Sequence, residues 1–181
     1  MKFQIAGAVL MSLGLLHAND PAKNPKAAAY EQRFLDKMPA HHEGGVEMAK
    51  ACTEKATRDD LKEFCRQMIA SQESENGQMQ NWRKAWYDDQ GGMSQDDKGQ
   101  MATEHEQMMK KINASSGPAF DKAFLSFMII HHQQALAEAK ACTAQAEHAE
   151  LKDLCGKIAA DQQKEIAKMQ GWYKTLPGAM K

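Results

Sequence analysis

Along this chain apolar side chains recur at steps of three and four, and the same seam is written twice. The first copy runs through Leu35, Met38, His42, Gly45, Ala49, Cys52 and Ala56. After a polar turn it continues through Leu61, Cys65, Met68, Gln72, Glu75, Met79 and Trp82. Ninety residues later come Leu125, Met128, His132, Ala135, Ala139, Cys142 and Ala146, then Leu151, Cys155, Ile158, Gln162, Glu165, Met169 and Trp172. Such steps mark one face of an α-helix. Residues 34–87 and 124–177 align without a gap, with 21 identities in 54 positions. Twelve of the 14 seam positions are identical, against nine of the other 40, so the repeat is concentrated on the faces that meet. Each copy predicts two helices around a turn, about 30–56 and 60–87 in the first. The turns are "TRDD" at residues 57–60 and "EHAE" at residues 147–150. Pro39 is expected to kink the first helix or shift its start.

An antiparallel helical hairpin pairs residues whose numbers have a constant sum. In the first copy that sum is 117: Cys52 faces Cys65, His42 faces Glu75, Met38 faces Met79. In the second it is 297, with the same pairs. Packed helix axes about 8–10 Å apart bring facing Cα atoms to roughly 4–6 Å, within reach of a disulfide. The register therefore predicts Cys52–Cys65 and Cys142–Cys155. Zinc held by the four thiolates is the weaker reading, because no tight CxxC pair is present.

Two such hairpins bury their apolar faces against each other, which makes the chain all-α, a four-helix bundle of repeated hairpins with a short linking helix. The organisation read from the sequence is a signal peptide at 1–18, a flexible segment at 19–29, hairpin repeats at 30–88 and 119–177, and a linker at 89–118. Within the linker, residues 100–112 form a short helix carrying Met101, His105, Met108 and Ile112 on one face. Docking onto the bundle is the expected use of that stripe, with a secondary copper contact by His105, Met108 and Met109 as the alternative.

Composition narrows the class. Ala, Met, Gln, Lys and Glu dominate, favouring helix. Basic and acidic residues, 23 and 24, are interspersed and give a net charge of −1, so nucleic acid is not an expected partner. Lys2, the apolar run at 5–16 and the small residue Ala18 read as a cleaved export signal, its apolar run too short to span a bilayer comfortably, with an uncleaved anchor as the alternative. A periplasmic or secreted location follows, where cysteines oxidise.

The middle of each seam is polar: Gln72, His42 and Glu75 in the first copy, Gln162, His132 and Glu165 in the second. Buried groups of this kind need partners. His41 and His131 stand one residue off the seam, where they look toward the other hairpin. With a two-fold axis along the bundle, the layers of the two hairpins coincide. The core then holds four His, two Glu and four Met within about two helical turns. The candidate ligand set is Met38, His41, His42, Glu75 and Met79 with Met128, His131, His132, Glu165 and Met169. Imidazole with thioether suits copper, as Cu(I) or Cu(II). Zinc makes little use of Met, and calcium and magnesium want oxygen cages. A di-iron oxidase needs Glu-x-x-His, which the chain lacks. The plainer readings are a satisfied His–Glu network and Met as core filler.

The set "FLSFMIIHH…AKAC…L…C…I…Q..EI..MQ.W", with the lead-in "EHEQMMKKINASSGPAFDKAF", resembles the domain-of-unknown-function family 305. The first copy departs from the pattern at Pro39 and at Gly44-Gly45. The resemblance implies an exported, ferritin-like helical bundle, with a link to copper binding and copper tolerance. The reading is a non-enzymatic copper buffer or carrier that captures the ion through Met and His and releases it by exchange or acidification. A metal-dependent redox enzyme and a metal-free structural or partner-binding module are the alternatives. A delivery partner and self-association are left open.

Overall fold

The computed structural model describes residues 20–88 and 91–176. The expected signal peptide lies outside them. The chain is all-α among the described residues, with five helices: α1 (Pro25–Lys55), α2 (Asp59–Tyr87), α3 (Gln95–Asn113), α4 (Gly117–Gln145) and α5 (Ala149–Thr175). The linking element was expected to be short. It is a full helix of 19 residues, so the architecture is five helices rather than a four-helix bundle with a connector.

α1 and α2 form one antiparallel hairpin and α4 and α5 the other, in the expected register. Both cysteine pairs are bonded, with Cα atoms 6.3 Å apart for Cys52–Cys65 and 6.0 Å for Cys142–Cys155. α1 starts five residues earlier than the seam suggested, because Asn24 caps it through a bond from the Lys26 amide and Pro25 supplies a helix-ready first residue. Residues 25–29 are therefore helical, and the stretch before them is tethered. Glu147 accepts from the Lys23 and Asn24 amides, and the His148 ring meets the Asp20 carbonyl. Pro39 does not shift the start; the helix runs through it, with the Asn76 amide donating to its carbonyl.

The hairpins pack head to tail, with α1 antiparallel to α4. On one side of the crossing Lys37 pairs with Glu138 at 2.6 Å, while beyond the C-terminal end of α1 Asp121 accepts from the Thr57 amide at 2.9 Å and from its hydroxyl. The pseudo-two-fold axis therefore crosses the helices instead of running along them. Two apolar clusters result. One joins Phe34, Leu35, Met38 and Met79 to the Cys142–Cys155 end of the second hairpin. The other joins Phe124, Leu125, Met128 and Met169 to the Cys52–Cys65 end of the first. Between them lies the polar layer.

The same head-to-tail packing satisfies the helix turns. Asp121, fully buried, takes the turn at Thr57 between α1 and α2. Ninety positions earlier, the fully buried Glu31 accepts from the amides of Glu147 and His148 at the other turn, at 2.6 and 3.0 Å. Each hairpin thus satisfies backbone amides of its neighbour's turn, just before a second helix that has no side-chain cap hydrogen bond.

Candidate metal centre

At the crossing of α1 and α4 the rings of His41 and His131 stack, with centroids 3.6 Å apart and planes inclined by 27°. One residue on, each helix turns a second imidazole into its own hairpin. His42 Nε2 lies 2.9 Å from Glu75 Oε2, and His132 Nε2 lies 2.9 Å from Glu165 Oε2. A carboxylate only accepts, so in these pairs Nε2 carries the proton and Nδ1 keeps a lone pair. Neither Nδ1 has a protein partner. By bond geometry the same holds for both ring nitrogens of His41, beside which the Gln134 side chain acts to raise its pKa, and for Nδ1 of His131. Five buried ring nitrogens in one layer thus lack a protein hydrogen bond of normal geometry, as do both amide atoms of Gln72. Leaving one such group unpaired costs about 1–3 kcal/mol.

Electrostatics keeps the stacked pair neutral. Burial, and next the nearby His42, push His41 down to about 3. Burial, followed by His41 and His132, holds His131 well below the ordinary imidazole range. A neutral imidazole is the form that binds a metal. The two carboxylates differ. Burial works to raise Glu75, but bonds from His42 and Lys157 outweigh it, and its pKa is lowered. Lys157 Nζ reaches Glu75 at 2.9 Å, and the Glu75 side chain is 5% exposed, against 22% for Glu165. Lys157 stands off the seam, so nothing in the repeat pointed to it.

The histidines and glutamates come together in the central layer as expected from the sequence; the methionines do not all join them. Because the axis crosses the helices, Met38 and Met79 lie on one side of the layer and Met128 and Met169 on the other. All four are buried. Met38 and His41 share a wall of one small internal pocket, and a rise of three residues, about 4.5 Å, separates them along the helix.

Among the described residues no three His, Cys, Asp or Glu side chains are grouped so as to hold an ion by themselves. Two Nε2 atoms are already engaged by carboxylates, and the donors left over are imidazole lone pairs with thioethers one layer away. The imidazoles alone would suit copper, zinc or iron, and the thioethers beside them favour a soft cation of low coordination number.

The departure at Gly44 has a structural reason. A Cβ at Gly44 would stand 3.0 Å from Nδ1 of His105 on α3, whereas the second copy carries Gln134 at that position. Gly44 makes room for α3. At Gly45 a Cβ would meet Gln72 Oε1 at 2.6 Å and His131 Cε1 at 3.0 Å.

Comparison with known proteins agrees with this architecture. The silver-bound form of CopM is 28% identical, with a TM-score of 0.67 over 82% of this chain and 98% of that one. The Cu(II)-bound form of CopM is 29% identical, with a TM-score of 0.66 over 80% and 95%. A DUF305 protein from Streptomyces coelicolor, to which secretion has been ascribed, is 21% identical. It shares the fold with a TM-score of 0.67 over 78% of this chain and 90% of its own. None of the curated proteins matches the chain. The profile of the domain of unknown function DUF305 covers residues 24–173. The chain belongs to the DUF305 family.

Proposed function

We propose that the protein is an exported copper-binding protein, a buffer or carrier and not an enzyme, that takes a soft copper ion at the His41–His131 layer. The observation that carries this reading is the set of five buried ring nitrogens without partners, beside neutral stacked imidazoles. A cation there offsets the unpaired nitrogens in a way no protein group does. Met38 and Met128, one turn away on the two sides, supply thioether sulfur, while Glu75 and Glu165 orient His42 and His132 through Nε2. Met79 and Met169 pack behind them. That CopM is known with silver, Cu(I) and Cu(II) bound supports the same ion class here. Export is supported by the leader-like residues 1–18 and by two bonded cysteine pairs. No described helix is long and apolar enough to cross a membrane.

The test is copper retained after gel filtration by the double variant His131→Ala, His132→Ala and, separately, by Met128→Leu, a swap that keeps core volume. The expected result is loss of the ion held at this layer in the first variant and its weakened retention in the second. Retention equal to wild type in both removes these residues from the site.

A further inference from the structure

α3 packs against α1 and α4. Its C-terminal half is anchored by Ile112, fully buried, and by Met108 and Met109 against the apolar cluster at the Cys52–Cys65 end. Above these contacts a cleft of about 300 Å³ opens between α3 and the bundle. His41 and His131 line it from the bundle side, and Met101, His105 and Met108 from α3, with Met93 from the loop before it. The cleft thus joins the outside to the two rings whose nitrogens lack partners.

Met101, His105 and Met108 follow steps of four and three, so they share one face of α3. His105 is held in place. Its Nε2 lies 2.7 Å from Glu47 Oε2, an acceptor, so the neutral ring presents its lone pair at Nδ1. That Nδ1 is buried and has no hydrogen-bond partner. It lies over Gly44, the position at which the first copy breaks the repeat and leaves space. A docking stripe has no need of an imidazole oriented by a carboxylate, and Ile112 and Met109 already anchor the helix.

We propose that Met101, His105 and Met108 form a second binding site for a soft monovalent cation, one that loads the central layer through the cleft. The loading step rests on the copper-binding reading above; the binding step does not. Two thioethers and one imidazole make a three-donor set of the kind Cu(I) and Ag(I) accept.

The probe is Ag(I), which resembles Cu(I) and undergoes no redox chemistry under these conditions. The mature protein is compared with an α3 variant (Met101→Leu, His105→Gln, Met108→Leu) and with a central variant (His131→Ala, His132→Ala). Native mass spectrometry counts the ions, stopped-flow competition follows loading, and circular dichroism checks that each variant is folded. The expected result is one ion fewer in the α3 variant and loading of the remaining ion slowed about tenfold or more. The central variant keeps the α3 ion. An α3 variant equal to wild type in count and rate overturns the proposal while leaving the central site standing. An ion that only the α3 variant loses supports the α3 site and overturns the central one. A wild type that binds no Ag(I) overturns both. Gly44→Ala is the second variant: it keeps all three donors but crowds Nδ1 of His105. It is expected to weaken the α3 ion and spare the central one, and unchanged binding of both ions counts against the assigned geometry.

Discussion

His41 and His131 carry the largest consequences at the scale of single residues. An imidazole in the unfolded chain titrates near 6.5, whereas folded His41 is pushed down to about 3 and His131 is shifted in the same direction. Between those values the unfolded chain binds more protons than the folded one, so stability falls as pH falls. Glu75, lowered in the fold, works in the same sense at lower pH. The metal-free protein is therefore expected to lose stability between pH 6.5 and 3, about 2 kcal/mol at pH 5 from His41 alone. Urea midpoints at pH 7.5 and pH 5 measure it. Equal midpoints would show that these rings are not buried neutral. The His–Glu pairs were legible because the constant-sum register matches each His to its Glu. The stacking of His41 on His131 was legible only as a direction, since a residue off the seam faces whatever packs there.

At the scale of elements, the sequence carried most where one hairpin determines its own geometry. Steps of three and four gave the helices, the 117 and 297 registers gave the pairs, and the bonded cysteines agree at 6.3 and 6.0 Å. Each disulfide closes a loop between residues 13 apart and is expected to contribute about 3 kcal/mol. Removing the disulfides one Cys→Ser pair at a time should lower the thermal midpoint in two additive steps; an unchanged midpoint would contradict that. What escaped the seam were contacts between hairpins. Glu31 and Asp121 stand ninety apart, an acidic pair at one repeat position just before the aligned copies, and that spacing was the available signal. Each accepts at the other hairpin's turn. Asp121→Ala, which orphans the Thr57 amide and hydroxyl, is expected to destabilise by about 1–3 kcal/mol. Combining it with Thr57→Val should cost less than the sum of the two single changes. Strict additivity in a double-mutant cycle would show no coupling. α3 was foreseen as shorter because its N-terminal turn is polar; Ser94, accepting from the Asp97 amide, starts it five residues earlier than the stripe suggested.

For the whole molecule, the decisive feature is the direction in which the two copies pack. The repeat fixes what each hairpin presents but is indifferent to whether its twin runs parallel or head to tail, since both bring apolar faces together. Head-to-tail packing lets Glu31 and Asp121 cap opposite turns and pairs Lys37 with Glu138. It also keeps the histidines at one height and moves the methionine pairs to opposite sides. The ten candidate side chains therefore do not share one layer: imidazoles and carboxylates lie between, with one methionine pair on each side. The most direct test of this arrangement is X-ray absorption at the copper edge of the Cu(I)-loaded protein. A first shell of imidazole nitrogen together with thioether sulfur is expected, with the nitrogen share per copper reduced in the His131→Ala, His132→Ala variant. A shell of oxygen and nitrogen without sulfur, or one that the double variant leaves unchanged, would contradict it.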